Sequence, residues 1–282
     1  MKFFKELGIG YKNYWIGTNF LFEHKLLMYF IFPLVLFIGV YVLGNYFQGL
    51  EMEINDELRI QSDNIDTINS LIWVSLKMFF FDALYIIFTQ FTLYIVVVLL
   101  SPILAILSQK IESILTGNKY PFNFKNLVND IKRGAIIAFR NLIWYYIFVG
   151  IFLGIVSFFD LSAKSFIIFA VPFIVGFYYY GFSFLDYINE RRRLNIQQSV
   201  YFVSQHKGLA ISIGSVYSTL FLLYFYITNN RTTLISEYGY EGLWEIGSWG
   251  LLTFAALSPI LAITAATLSM NDVVKFKKTE IE

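Results

Sequence analysis

Apolar residues come in long unbroken runs separated by short charged stretches. Six runs are close to the roughly 20 residues that an α-helix needs to cross a ~30 Å hydrocarbon layer. They occupy residues 26–43, part of 71–107, 142–159, 166–185, 209–227 and 249–268. The pattern predicts an all-α, polytopic helical membrane protein, because in lipid each helix satisfies its own backbone groups. A transmembrane barrel would alternate apolar and polar residues, and runs such as 94–100 do not. Only residues 160–165 join the third and fourth runs. That predicts a tight helical hairpin, which either crosses fully or dips in and returns.

Two flanking segments are amphipathic. Within residues 1–25, Phe3, Phe4, Leu7, Tyr11, Trp15, Thr18 and Phe22 recur at helical spacing, with Lys2, Lys5, Glu6 and Lys12 opposite. This predicts a helix lying in the cytoplasmic interface as a lipid anchor. A signal peptide would need a continuous apolar core there. From about residue 123, Leu127, Val128, Ile131, Ala135 and Ala138 share one face, with Lys125, Asn129, Asp130, Lys132 and Arg133 on the other. The expected organisation is one membrane domain over 1–282: an interfacial helix (1–25), membrane helices (26–270) and a cytoplasmic tail (271–282).

Composition narrows the function classes. The 282 residues are 57% hydrophobic, 20% aromatic and 15% charged. A globular domain carries about 25% charge, so a soluble enzyme and a disordered chain are both excluded. A net charge of +1 leaves no basic footprint for nucleic acid. Cysteine is absent and the two histidines are far apart, so neither a disulfide framework nor a zinc site is expected. No His-Glu-x-x-His pair, Gly-x-Ser-x-Gly elbow or phosphate-binding loop occurs. No catalytic residue, metal or cofactor is therefore expected.

The distribution of the 21 basic residues is more informative than their number. Sixteen lie in the N-terminal tail, the loops after the second and fourth spans, and the C-terminal tail. The other three loops carry Arg59, Lys164 and Arg231 alone. This alternation predicts six crossings with both termini cytoplasmic. Arg191, Arg192 and Arg193 read either as a stop after span four or as a basic mouth that attracts anions. The outer loops are acidic, with Glu51, Glu53, Asp56, Glu57, Asp63 and Asp66 before span two and Glu237, Glu241 and Glu245 before span six. That reads as exclusion of positive charge or as a cation-attracting vestibule.

The heptapeptide Leu-Ser-Pro-Ile-Leu-Ala-Ile occurs at 100–106 and again at 257–263. An even number of crossings separates the copies, which predicts parallel repeats. Two readings of Ser101-Pro102 and Ser258-Pro259 stand. Serine is a favoured N-cap and proline suits the first helical position, so each pair could end one helix and start another. The new N-terminus would then offer N–H donors to an anion. Alternatively each proline only kinks a continuous helix.

Single residues add little. His24 and His206 flank spans and read as interfacial. Lys77 and Asp82 are interfacial if the second span starts near Asp82, and buried and functional if it starts near Leu71. Arg140, about one turn inside the third span, either snorkels to headgroups or lines an anion path.

At the repeat the sequence resembles a known family. The stretch 100–117, Tyr120-Pro-Phe122, Arg140-Asn-Leu142, the stretch 181–187, Arg191 and His206-Lys-Gly208 are together similar to the CysZ sulfate permease family. Its eukaryotic relatives, the etoposide-induced protein family, share the likeness. The resemblance implies full spans mixed with partly penetrating helix pairs, a homo-oligomer, and passive or proton-linked sulfate entry feeding cysteine synthesis. The family's Gly-Leu-Arg stretch, often with a second Arg, falls on Lys25, Leu26, Leu27 and Met28 counting back from Pro33. Leu26 matches, and the Gly and both Arg do not. An apolar pair cannot give the bidentate bonds of Arg to an oxyanion, and His24 and Lys25 compensate only in part.

The expected protein is an inner (cytoplasmic) membrane permease or channel for a small inorganic anion, sulfate first. Its anion-binding candidates are His24, Lys25, Leu26, Ser101, Pro102, Arg140, Ser258 and Pro259. The alternative is a non-transporting scaffold of the same fold that lost the anion site. A third reading is a cation channel using the acidic loops.

Overall fold

A computed structural model describes residues 2–61, 72–73, 75–77, 79–81, 92–118, 124–159, 164–192 and 194–274. Asp82, Arg193, residues 120–122 and the basic tail at 275–278 lie outside the described residues. Helix α1 (Lys2–Glu23) is followed by a 3-10 turn (Leu27–Phe30) and α2 (Ile31–Gln61). Next come α3 (Thr92–Thr116), α4 (Phe124–Ser157), α5 (Lys164–Arg191) and the short α6 (Ile196–Gln205). Helices α7 (Lys207–Asn229), α8 (Arg231–Tyr238) and α9 (Glu241–Val274) complete the order. No strand occurs among the described residues.

Six stretches are long and apolar enough to cross a membrane: Leu27–Gly44, Val98–Thr116, Lys132–Ser157, Phe166–Arg191, Lys207–Asn229 and Glu241–Val274. Five agree in place with the apolar runs. The second sits at the far end of 71–107 and takes in Lys110. The amphipathic segment from residue 123 and the third span form a single helix, α4.

The chain packs as two units, Met1–Pro33 with Leu100–Glu282, and Leu34–Leu99. In the second unit, Val35, Ile38, Val42, Leu43 and Tyr46 of α2 are exposed, as lipid-facing side chains would be. The larger unit is built around α9, which is buried from Ala255 to Met270 with few exceptions. Its closest helix pair is α5–α7. A Cβ on Gly181 would lie 1.7 Å from the Ala210 carbonyl oxygen, and one on Gly214 would lie 1.9 Å from that of Phe177. The two backbones touch, which only glycine permits. Membrane helices gain their packing this way because lipid supplies no hydrophobic drive between them.

Charged ends gather on one side of this unit. Arg191 of α5 pairs with Glu112 of α3, Arg133 of α4 pairs with Asp186 of α5, and Ser108 of α3 bonds Thr267 of α9. The two heptapeptide helices, α3 and α9, therefore both run toward this charged end, as parallel repeats do. Pro102 and Pro259 each lie inside a continuous helix, so no helix starts at either Ser-Pro. The free N-terminus that one reading required is absent at both. Ser258 instead donates to the Ala255 carbonyl at 2.8 Å.

Helix α1 forms as the periodicity predicts, but its buried stripe is not the aromatic one. Glu6, Gly10, Asn13, Gly17 and Leu21 are buried, while Phe4, Trp15 and Phe22 are exposed. Asn13 donates to Asp272 at 2.8 Å and to Ser269 at 3.1 Å, and Gly17 packs on Thr264 and Leu268 of α9. Gly10 faces Ser212 of α7, and Gly208 of α7 lets the Phe3 backbone approach. Small and polar residues thus make the helix contacts, and the aromatic face is left outward.

Candidate functional site

Residues three, four and seven apart share a helix face. On α4 this aligns Arg133, Gly134, Ile137, Arg140 and Asn141. On α5 it aligns Tyr179, Phe182, Ser183, Asp186, Tyr187 and Glu190. These two faces meet, with α3 alongside.

The seam begins in ion pairs. Arg133 Nη2 and Nε donate to the two oxygens of Asp186 at 2.9 and 3.1 Å, and its Nη1 donates to the Leu194 carbonyl at 2.6 Å. Ser199 donates to Asp186 at 2.5 Å, and Asn189 donates to Ser199 at 3.0 Å. Arg191 Nε donates to Glu112 at 2.9 Å and its Nη1 donates to Ser108 at 2.6 Å. Arg192 lies over the Phe202 ring, 5.2 Å from its centroid. Burial lowers its pKa, with the Glu112 charge opposing. Of the basic mouth, Arg191 is thus held by an internal carboxylate and Arg192 by an aromatic face.

Further in, Ser101 of α3 is fully buried, and its hydroxyl has no hydrogen-bond partner among the described residues. It faces Gly134 of α4 and the Tyr187 hydroxyl of α5. Beyond it, Asn141 is fully buried. Its Nδ2 donates to Ser183 at 3.3 Å, and its Oδ1 is unpartnered. Arg140 sits beside this pair with its guanidinium 5.1 Å from the Phe182 centroid. Its Nη1 is buried without a partner, and no carboxylate among the described residues pairs with it. Seven residues past Arg133 at 1.5 Å each, Arg140 lies about 10 Å deeper along α4.

The structure brings Ser101, Pro102, Arg140 and Arg191 to this seam. Ser258 and Pro259 are buried in α9, and the Ser258 hydroxyl is used within its own helix. His24 is exposed, stacked on Phe20 at 4.1 Å, with Nδ1 3.0 Å from the Phe20 carbonyl oxygen. Lys25 is exposed at φ 56, and Leu26 is buried. The Leu26 amide donates to Leu21 and the Lys25 amide to Phe22, which caps α1 with a left-handed residue. Glycine suits that position best, which gives the glycine of the resembled Gly-Leu-Arg stretch a conformational reason. His206 Nδ1 lies 2.8 Å from Glu6 Oε1, so this histidine helps dock α1.

Sequence reasoning missed Gly134, Asn141, Tyr187 and the pairing of Arg133 and Arg191. Asn141 and Tyr187 stand in the blocks of resemblance, but nothing in their spacing says that Asn141 meets Ser183 or that Tyr187 lies beside Gly134.

No curated protein matches the chain. A family profile for "Sulfate transporter CysZ/Etoposide-induced protein 2.4" matches residues 13–263. That range holds both heptapeptides and the whole α3–α5 seam. The chain belongs to this family of multi-pass helical membrane transporters.

Proposed function

We propose that the protein is a permease or channel for a small inorganic anion, sulfate first, and supplies sulfur assimilation. The carrying observation is Arg140, a guanidinium within an apolar helix and without a carboxylate partner among the described residues. A charge so placed is costly unless it has a use, and Arg is the side chain best fitted to oxyanions. Its flat face is covered by Phe182, which leaves the in-plane N–H donors for a ligand. Arg133 and Arg191 are less suited, since carboxylates already neutralise them. In this reading the charged end faces the cytoplasm of a bacterial-type inner membrane, as the basic residues favour. A homo-oligomer in the lipid bilayer is part of the same reading. Of the two acidic outer loops, the one before the sixth span is partly neutralised, since Arg231 lies 3.3 and 3.4 Å from Glu241 and Glu245; Asp63 and Asp66 of the other lie outside the described residues.

The second reading is a scaffold that lost its anion site, supported by Lys25, Leu27 and Met28 where the family resemblance places Gly and Arg. Radiolabelled sulfate uptake into proteoliposomes, with chloride and phosphate as competitors, separates the two. Uptake that Arg140→Gln abolishes is the expected result. No uptake of any oxyanion would overturn the permease and leave the scaffold.

A further inference from the structure

As a rule, each described buried serine and threonine hydroxyl of the larger unit has a hydrogen-bond partner, with one exception. Ser212, Ser215, Ser258, Thr264 and Thr267 each donate to a carbonyl one turn back in their own helix. Ser183 does the same, Ser108 meets Thr267, Ser199 meets Asp186, Ser218 meets the Phe173 carbonyl, and Ser269 accepts from Asn13. Ser101 alone among the described buried serines and threonines has no partner. Its counterpart in the same heptapeptide, Ser258, obeys the rule in the same local sequence. Local helix geometry therefore does not explain the exception, and what lies opposite Ser101 must.

Opposite lies Gly134. A Cβ placed there would be 3.4 Å from the Ser101 Cβ, 3.7 Å from its Oγ and 3.6 Å from the Tyr187 hydroxyl. All three are ordinary contacts, so the space is about one methyl group wide and is walled by two hydroxyls. The preceding residues on the two helices, Arg133 and Asp186, form the bidentate pair that clamps α4 to α5 at this level.

Building on the anion reading, we infer that this gap beside Gly134, faced by the Ser101 and Tyr187 hydroxyls, is the constriction of the anion path. Hydroxyls donate to an anion without binding it as firmly as a buried cation would. That suits a point of passage between the charged end and Arg140. At one methyl width it is closed to sulfate, and passage requires α4 to part from α3 and α5 there. Gly134 and Ser101 thus set which anions pass.

The test uses Gly134→Ala and Ser101→Ala in the full-length protein. The added methyl fits and the serine loses no partner, so neither should alter the melting temperature in detergent. Sulfate uptake into proteoliposomes should fall at least tenfold in each. Wild-type uptake rates in both variants would overturn the constriction while leaving the permease standing. Sulfate-dependent thermal stabilisation gives a readout independent of flux. If wild type carries no flux yet is stabilised by sulfate, and both variants lose that stabilisation, the site stands and the permease falls. Equal stabilisation in all three proteins, or none in any, together with absent wild-type flux, overturns the site as well.

Discussion

Arg133 on α4 and Asp186 on α5 meet through two N–H···O bonds of 2.9 and 3.1 Å, both side chains largely buried. Removing one partner leaves the other charge uncompensated. Asp186→Ala is expected to cost about 3 kcal/mol or more. Replacing both residues with apolar side chains of similar volume, as in Arg133→Met with Asp186→Leu, should recover most of the loss. Thermal unfolding in detergent measures both.

Arg140 makes the opposite prediction. Among the described residues it has no ion pair to lose, so Arg140→Gln should leave the melting temperature near that of wild type while sulfate uptake falls at least tenfold. Arg140→Lys keeps the charge but not the planar fork, and should recover only part of the uptake.

Lys25 tests strain against chemistry. A non-glycine residue in the left-handed region costs roughly 1 kcal/mol or more. Lys25→Gly should therefore stabilise the protein by about 1 kcal/mol. If Lys25 also contacts the anion, the same variant loses uptake as it gains stability, and an increase in both would remove Lys25 from the site.

The α5–α7 contact is sensitive to single atoms. Gly214→Ala drives a methyl into the Phe177 carbonyl and should cost about 3 kcal/mol or prevent folding. Gly154→Ala on α4, with nothing within 4 Å of the added carbon, should instead stabilise by about 0.5 kcal/mol through backbone entropy. Denaturation of the two variants in parallel checks the contrast.

Tyr14 gives a pH signature. It donates to the Ile213 carbonyl, and burial, with a smaller contribution from Tyr11, pushes its pKa up. A raised folded-state value means that its contribution is intact below the ordinary tyrosine value of about 10 and falls as pH rises beyond it. Tyr14→Phe should flatten that part of the alkaline melting curve relative to wild type.

The helical architecture was legible because apolar run length follows directly from the cost of bare backbone in lipid. The two Ser-Pro sites were legible as special but not in kind. A proline reads alike whether it starts a helix or sits within one, and only neighbouring helices decide. Arg140 was visible as a charge beside an apolar run, while its lack of a carboxylate among the described residues depended on which face of α5 it would meet. Gly134 carried no signal at all, since what matters there is the absence of a side chain opposite Ser101, a residue 33 positions earlier. The aromatic stripe of α1 is legible in the sequence, and Phe4, Trp15 and Phe22 are exposed. The inner stripe is not legible, because Gly10, Asn13 and Gly17 look unremarkable until α7 and α9 are placed beside them.

That inner stripe has a consequence for how the chain is tied together. The partners of α1 are remote in sequence: Tyr11 meets Ser215, 204 residues later, and Asn13 meets Ser269 and Asp272, 256 and 259 residues later. Helix α1 is therefore fixed by residues more than 200 positions later in the chain. Asn13 has its counterparts only once the end of α9 is made, whereas Glu6 already meets His206 at the start of α7. The docking of α1 thus ties residue 13 to residue 272 and makes the larger unit depend on both.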